Sequence, residues 1–497
     1  MVGRCAVTYS VGAAVASRVK PLDSFPTCVP VGSVVHIPVM TTAMFPTTGP
    51  DDLRERFESL RDEEFARLDE TGQVYLDYTG SGLYAASHLR AHAEYLEHHV
   101  LGNPHSENPA SAAATRIVDQ ARLRILEFFG ADPDEFCVVF TSNASAALKL
   151  VGESFPFGPG SRFVLTEDNH NSVNGIRAYA EGRGAATTYL PLDDELRLDL
   201  SAEIPPAGDG PSLFAFPAQS NFSGVKHPLE LVDRARGLGY RVLLDTAAYA
   251  PTSPIVFDEI RPDFACISFY KMFGFPTGLG ALIARREALG QLHRPWFAGG
   301  TVEFVSVANR IHRLVPGGVG FEDGTLNFLG IAAVGSGLDF LSGVGMPRVR
   351  ERVRTLTEEL LAILTRLRHP GGESAVRIYG PKSCEGRGGT VAFNLVDPGG
   401  RPVPFGAVEH AAGEVGIALR GGCFCNPGAA ERALELPAGA MLHCLNRMPP
   451  GDFSLQGVAD CLEGTVAVGA LRASVSVPTV EADLERLEVF LREFVGG

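Results

Sequence analysis

Short apolar runs at residues 137–140, 163–165, 213–216, 242–244 and 264–268 recur along the chain, each too brief for a helix and rich in Val, Leu and Phe. Continuous runs of this kind predict strands buried on both faces. Longer segments of helical spacing separate them, so residues 86–340 read as a large α/β domain with a mostly parallel sheet and helices on both faces. Residues 346–367 predict a long charged amphipathic helix linking domains. Beyond it the pattern changes to strands at 376–379, 390–395 and 471–477, a helix at 407–414 and a closing helix at 480–494 with Leu484, Leu487 and Phe490 on one side. Residues 341–497 therefore read as a smaller α+β C-terminal domain. Upstream, Leu53, Phe57, Leu60 and Phe65 have helical spacing, and residues 51–85 are assigned as a segment that packs with the small domain. Residues 1–50 contain Pro21, Pro26, Pro30 and Pro46 and little periodicity. They predict a disordered extension; the weakly apolar stretch from Cys5 to Ser17 is too diluted by Thr8, Ser10 and Gly12 for a signal peptide.

Composition narrows the function classes. The chain has 497 residues, 45% hydrophobic and 20% charged, enough for a large core in two domains. Its net charge of −15, with no basic run, argues against nucleic acid. No run approaches the roughly 20 apolar residues of a membrane helix. The nine cysteines are scattered. They predict no disulfide framework and a cytoplasmic protein with reduced thiols. Cys423 and Cys425 form C-x-C without a second cluster at zinc spacing, so no metal is expected. Cys137 and Cys266 sit in strand-like runs and read as inert core; Cys444 and Cys461 have no motif around them.

Chemistry concentrates at a few positions. Lys271 follows the apolar run Ala265-Cys-Ile-Ser-Phe269 and precedes a glycine-rich turn. A buried lysine ionises less readily and can act as an amine nucleophile, as a Schiff-base lysine must. Arg241-Val-Leu-Leu-Asp245 reads as a buried strand ending in an acid, 26 residues before Lys271. In a doubly wound sheet that end faces a ligand. By itself Asp245 could equally cap a following helix. Thr141-Ser-Asn-Ala-Ser145 opens a predicted helix, where free amides and the dipole favour an anion. His170 follows another strand and offers a ring for stacking.

With these in place, the chain resembles class V aminotransferase-type, fold type I pyridoxal phosphate enzymes. Within them it is most similar to the amino-terminal, cysteine desulfurase-like domain of molybdenum cofactor sulfurases. The matching segments start at Val74, Phe140, Phe216, Ser268, Phe321 and Arg420, and include Ser268-Phe-Tyr-Lys-Met-Phe-Gly274 and Arg420-Gly-Gly-Cys-Phe-Cys-Asn-Pro-Gly428. The resemblance implies pyridoxal 5'-phosphate bound through Lys271, with Asp245 at the ring nitrogen and His170 on the ring face. Ala144, Ser145 and Ser268 would hold the phosphate, and Asn221 would lie near the ring hydroxyl and substrate. Gly324 and Thr325 would reach a neighbouring subunit's phosphate, implying a homodimer. Arg420 would take the substrate carboxylate and Cys425 would accept sulfur. Three departures stand out: Tyr270 where many members have histidine, Ala248 where many have glutamine or histidine, and Asn143-Ala144-Ser145 where a glycine and two threonines are common.

The implied reaction releases alanine from L-cysteine and leaves a persulfide on Cys425, a thiol in a glycine-flanked loop expected to be mobile and five residues from the guanidinium of Arg420. Another reaction of the same cofactor in secondary metabolism, such as transamination, epimerisation or C–S lysis, is the alternative. A non-catalytic cofactor-binding protein is a third reading, and it predicts a damaged lysine or aspartate, which the chain does not show. Molybdenum cofactor sulfurases carry a further C-terminal domain. This chain closes at Gly497 after the small domain's last predicted helix, so a separate sulfur-acceptor protein or metabolite is expected.

Overall fold

The computed structural model describes residues 50–496 other than 450, 453 and 463–465. Of the extension expected over residues 1–50, only Pro50 lies within them, as the first residue of helix Pro50–Glu64.

Seven strands form the central sheet: β1 (Phe136–Thr141), β2 (Arg162–Thr166), β3 (Ala186–Leu190), β4 (Leu213–Pro217), β5 (Arg241–Asp245), β6 (Phe264–Ser268) and β7 (Gly280–Arg285). Their order is β1-β7-β6-β5-β4-β2-β3. All neighbours run parallel except β7, which is antiparallel to β1 and β6. Alternate residues point to opposite faces. Val138, Phe140, Phe214, Phe216, Leu244, Ala265 and Ile267 therefore enter one core, and Cys137, Val139, Phe163, Leu165, Leu213, Leu243 and Cys266 enter the other. Both faces are dry, which is why these strands read as unbroken apolar runs. Helices Pro109–Phe128 and Phe328–Val344 pack together over the first face, and helix Ala144–Ser154 packs on β6 and β7 over the second.

A second, antiparallel sheet contains β8 (Val376–Tyr379), β9 (Thr390–Leu395), β10 (Arg420–Gly422) and β11 (Ala470–Ser474) in the order β8-β9-β11-β10. Helices Met346–Arg366, Phe405–Glu414 and Glu481–Gly496 flank it. The fold is the mixed α/β arrangement that the hydrophobic pattern predicts. The last strand ends at Ser474, earlier than the expected 477. The N-terminal segment reaches this sheet: Val74–Tyr75 pairs in parallel with Ile417–Ala418. Arg61 donates to Asp483 at 2.7 Å and to the Pro478 carbonyl at 2.8 Å.

One expectation fails near the second sheet. Cys444 and Cys461 form a disulfide with Cα atoms 5.9 Å apart. Helices Ala438–Arg447 and Leu455–Cys461 fold against each other and bring the two thiols together, although nothing in their local sequence marks them. Among the described residues no single helix is long and apolar enough to cross a membrane.

Candidate active site

The carboxyl ends of the parallel strands define the site, as the ligand rule for open α/β sheets requires. Strand β6 turns at Ser268 into a helix of little more than one turn, Phe269–Phe273. Lys271 thus stands on that helix and not on the strand itself. Phe269, Met272 and Phe273 are buried beneath it. Gly274 ends the helix at φ +77°, and a Cβ there would lie 2.3 Å from the Tyr84 nitrogen. Only glycine suits that position. Lys271 projects into a cleft shared with Ala144, Ser145, His170, Asn221, Asp245 and Ser268, so seven of the predicted site residues converge. Burial pushes the Lys271 ammonium pKa down, and the Asp245 carboxylate opposes it.

Asp245 is buried at the end of β5. Its Oδ1 accepts from the Ala247 amide at 2.9 Å and from the Cys266 thiol at 3.2 Å. Cys266 is therefore more than core filling: burial and the Asp245 charge push its thiol pKa well up, which keeps it a neutral donor. At the opposite end, Asn143 caps helix Ala144–Ser154 by accepting from Ala146 N at 2.9 Å, and Ser268 Oγ accepts from Ala144 N at 2.9 Å. Ser145 Oγ accepts from Ser172 Oγ at 2.6 Å. Hydroxyls and helix-end amides thus gather at one side of the cleft, the arrangement an anion needs. His170 Nδ1 accepts from Ser172 N at 3.1 Å, which puts the proton of the neutral ring on Nε2. Burial lowers the His170 pKa, Lys271 lowers it further, and Asp245 opposes. The ring is uncharged and suited to stacking.

Several residues here carry no mark in their local sequence. Gln219 lines the same cleft, is 3% exposed, and its Oε1 has no partner. It supplies a polar group beside Ala248, where the family usually has one. Asp77 joins two guanidinia: Arg420 Nε donates to Oδ2 at 2.8 Å and Arg472 Nη2 to Oδ1 at 2.8 Å. Arg472 also donates to the Asn221 carbonyl at 2.9 Å, and its buried Nε has no partner. The positive charge of Arg472 is among those that lower the Lys271 pKa. The side chain of Arg420 is 50% exposed and turned to Asp77. Neither arginine lines the cleft of Lys271.

Cys425 lies in a turn in which Phe424 and Cys425 adopt φ of +54° and +56°. The loop is pinned, where mobility was expected. Asn221 donates to the Phe424 carbonyl at 2.6 Å, and Asn171 N donates to the Cys425 carbonyl at 2.7 Å. Phe424 packs on Phe222, and Asn426 is fully buried. The Asn426 amide donates to Asp168 at 2.6 Å and Asn221 at 3.0 Å, and Asp168 also holds His227 at 2.8 Å. A Cβ on Gly428 would sit 2.2 Å from the Glu167 carbonyl, so the following helix also approaches the central sheet's loops too closely for a side chain. This turn separates the two cysteines, which would have shared a face had the stretch been extended. The Cys425 thiol is exposed, whereas Cys423 is partly buried, 3.6 Å from the Val468 carbonyl, with its pKa raised by burial. Gly324 and Thr325 are not among the residues lining this chain's own cleft.

An amine with a depressed pKa, a carboxylate with a free Oδ2, an anion cradle and an uncharged ring converge on one cleft, and they fit pyridoxal phosphate. The family model for class-V aminotransferases matches residues 74–487. The chain belongs to the aminotransferase class-V family. Its relatives include the molybdenum cofactor sulfurases of Bos taurus, 38% identical over 77% of this chain and 46% of that protein, and of Arabidopsis thaliana, 36% identical over 78% and 52%. The chain thus spans about half the length of these curated relatives. Among solved structures, the apo cysteine desulfurase from Thermococcus onnurineus superposes with a TM-score of 0.71 at 25% identity, covering 88% of this chain and 98% of that one.

Proposed function

We propose that the protein is a pyridoxal phosphate-dependent cysteine desulfurase. Relatives named as molybdenum cofactor sulfurases and a solved cysteine desulfurase support the reaction class. The observation that carries it is the exposed Cys425 thiol, in a turn tied to the cleft wall by the Asn171 amide on the Cys425 carbonyl and the Asn221 side-chain amide on the Phe424 carbonyl.

The cofactor, when bound, supplies an electron sink for the substrate amino acid. Lys271 holds it and, as a free amine, takes the α-proton of the substrate at Nζ. Asp245, whose other oxygen is engaged by Ala247 and Cys266, would hold the proton on the ring nitrogen. His170 would cover the ring face, and the hydroxyls of Ser145 and of Ser268, the latter held by the Ala144 amide, would bind the phosphate. Two guanidinia serve the substrate carboxylate. Arg472, bonded to the Asn221 carbonyl behind the cleft wall and with an unpartnered Nε, acts through Asn221; Arg420 acts through Asp77 as a positioning residue. The Cys425 thiolate attacks the substrate sulfur. An S–S bond forms and the substrate's C–S bond breaks, with its electron pair left on carbon. That carbon takes a proton, alanine leaves, and the outer sulfur stays on Cys425 as a persulfide. In sum, L-cysteine and the Cys425 thiol become alanine and a Cys425 persulfide.

The acceptor of that sulfur is a second molecule, a protein thiol or a metabolite. We infer a homodimer, with exposed Thr325 completing the partner's phosphate cradle. The test of the reaction is the product balance. Cysteine and a reducing thiol, with no keto acid, should yield equal alanine and sulfide; pyruvate or a need for a keto acid contradicts the assignment.

A further inference from the structure

A second cavity lies next to the cofactor region. Lys226, Thr252, Arg350, Cys384 and Arg387 line it together with Glu351 and Arg354. Thr252 also lines a small void that Lys271 reaches. Two wall segments meet through the Lys226 amide, which donates to the Gly386 carbonyl at 2.8 Å, and through the bridge between Val225 and Arg387.

The charges in this cavity are out of balance. Glu351 is answered by Arg354 at 2.6 Å, and Arg354 also binds Glu358. Among the described residues, Lys226, Arg350 and Arg387 form no ion-pair contact, although the charge of Arg350 is felt by Glu351, which Arg354 already holds. In a chain of net charge −15, three such cations around one cavity are conspicuous. Arg387 is 5% exposed. Its terminal nitrogens donate to the carbonyls of Ser223 at 2.7 Å, Thr390 at 2.6 Å and Pro381, while its Nε has no partner. The Thr252 hydroxyl is likewise buried without a partner. Buried donors normally find an acceptor. Burial, then the charge of Arg350, push the Lys226 pKa down to about 8, with Cys384 opposing; the Tyr249 ring lies 5.4 Å from the ammonium. Arg197 adds another positive charge near Arg387.

One kind of group satisfies all of these at once: a compact anion with several acceptor oxygens, which takes fork-shaped guanidinium donors and an ammonium together. We propose that this cavity binds the phosphate group of a small molecule, at a site separate from the cofactor's own cradle at the start of helix Ala144–Ser154. The proposal does not depend on the desulfurase reading.

The test uses holoprotein, so that the cofactor cradle is already filled. Calorimetric titration with inorganic phosphate and, separately, with glycerol 3-phosphate should give saturable one-site binding of at least one. Tighter binding of glycerol 3-phosphate assigns the site to an organic phosphate; tighter binding of inorganic phosphate assigns it to the free ion. Lys226→Gln and Arg350→Gln should each weaken binding tenfold or more, whereas Lys149→Gln, on an exposed helix face, should not. Binding should also weaken as pH rises past about 8 and Lys226 loses its proton. Arg350 is exposed, so its variant keeps the test valid even if Lys226→Gln folds poorly. No saturable binding of either compound, or equal affinity in the Arg350 variant, overturns the proposal.

Discussion

The Asp77 carboxylate and the Arg472 guanidinium meet at 2.8 Å, both at least nine-tenths buried in their side chains. Arg420 holds the other oxygen of Asp77 from the exposed side. The geometry ranks the two arginines. Arg472→Lys loses the fork and should raise KM for cysteine roughly tenfold to a hundredfold, for an interaction of about 1.5–3 kcal/mol. Arg420→Lys should have a smaller effect, because Asp77 keeps Arg472 in place. Steady-state kinetics of both variants check the ranking; a larger loss in the Arg420 variant reverses it.

Lys271 should be the residue that carries the cofactor. Borohydride reduction of holoprotein, followed by peptide mapping, should place the label on Lys271 alone. Asp245 is the largest of the charges that hold the Lys271 pKa up against burial, ahead of Asp77. Asp245→Asn removes that support, so the folded-state pKa should fall further. The pH at which half of the apoprotein amine reacts with the cofactor aldehyde should then move down, as absorbance would record. A midpoint that stays or rises contradicts the placement of Asp245.

Much of this site is legible from local sequence, and the limits are physical. Strands such as β4 and β6 are buried on both faces, so their composition alone marks them. β3 escapes notice because its burial is partial and it carries Thr187 and Thr188 in place of an apolar run. Lys271 and Asp245 stand out because a charge ends an apolar stretch. Asp77 and Arg472 do not, since their roles exist only when residues 395 positions apart meet. The same holds for Asn426 and Asp168, 258 apart. The Cys423–Cys425 stretch was ambiguous because the pair of left-handed residues that separates the thiols is set by the contacts of Phe424 and Asn426.

Arg61 and Asp483 tie the N-terminal segment to the last helix, with side chains 4% and 5% exposed. Removing one member of a buried pair leaves a charge without compensation. Arg61→Ala should lower the unfolding free energy by about 3–5 kcal/mol. Urea denaturation followed by circular dichroism reads the change, and a loss under about 1 kcal/mol would show that the pair contributes little.

The persulfide on Cys425 is the central claim, and one measurement addresses it most directly. After a single turnover with cysteine and no reductant, intact mass and peptide mapping should show one added sulfur on Cys425 in wild type. The adduct should persist in Cys423→Ser and be absent from Cys425→Ser, which should still bind cofactor and substrate, as its absorbance spectrum will show, while releasing no sulfide. If Cys425→Ser forms alanine from cysteine at an undiminished rate, or the added sulfur sits on Cys423, the desulfurase account of this site is wrong.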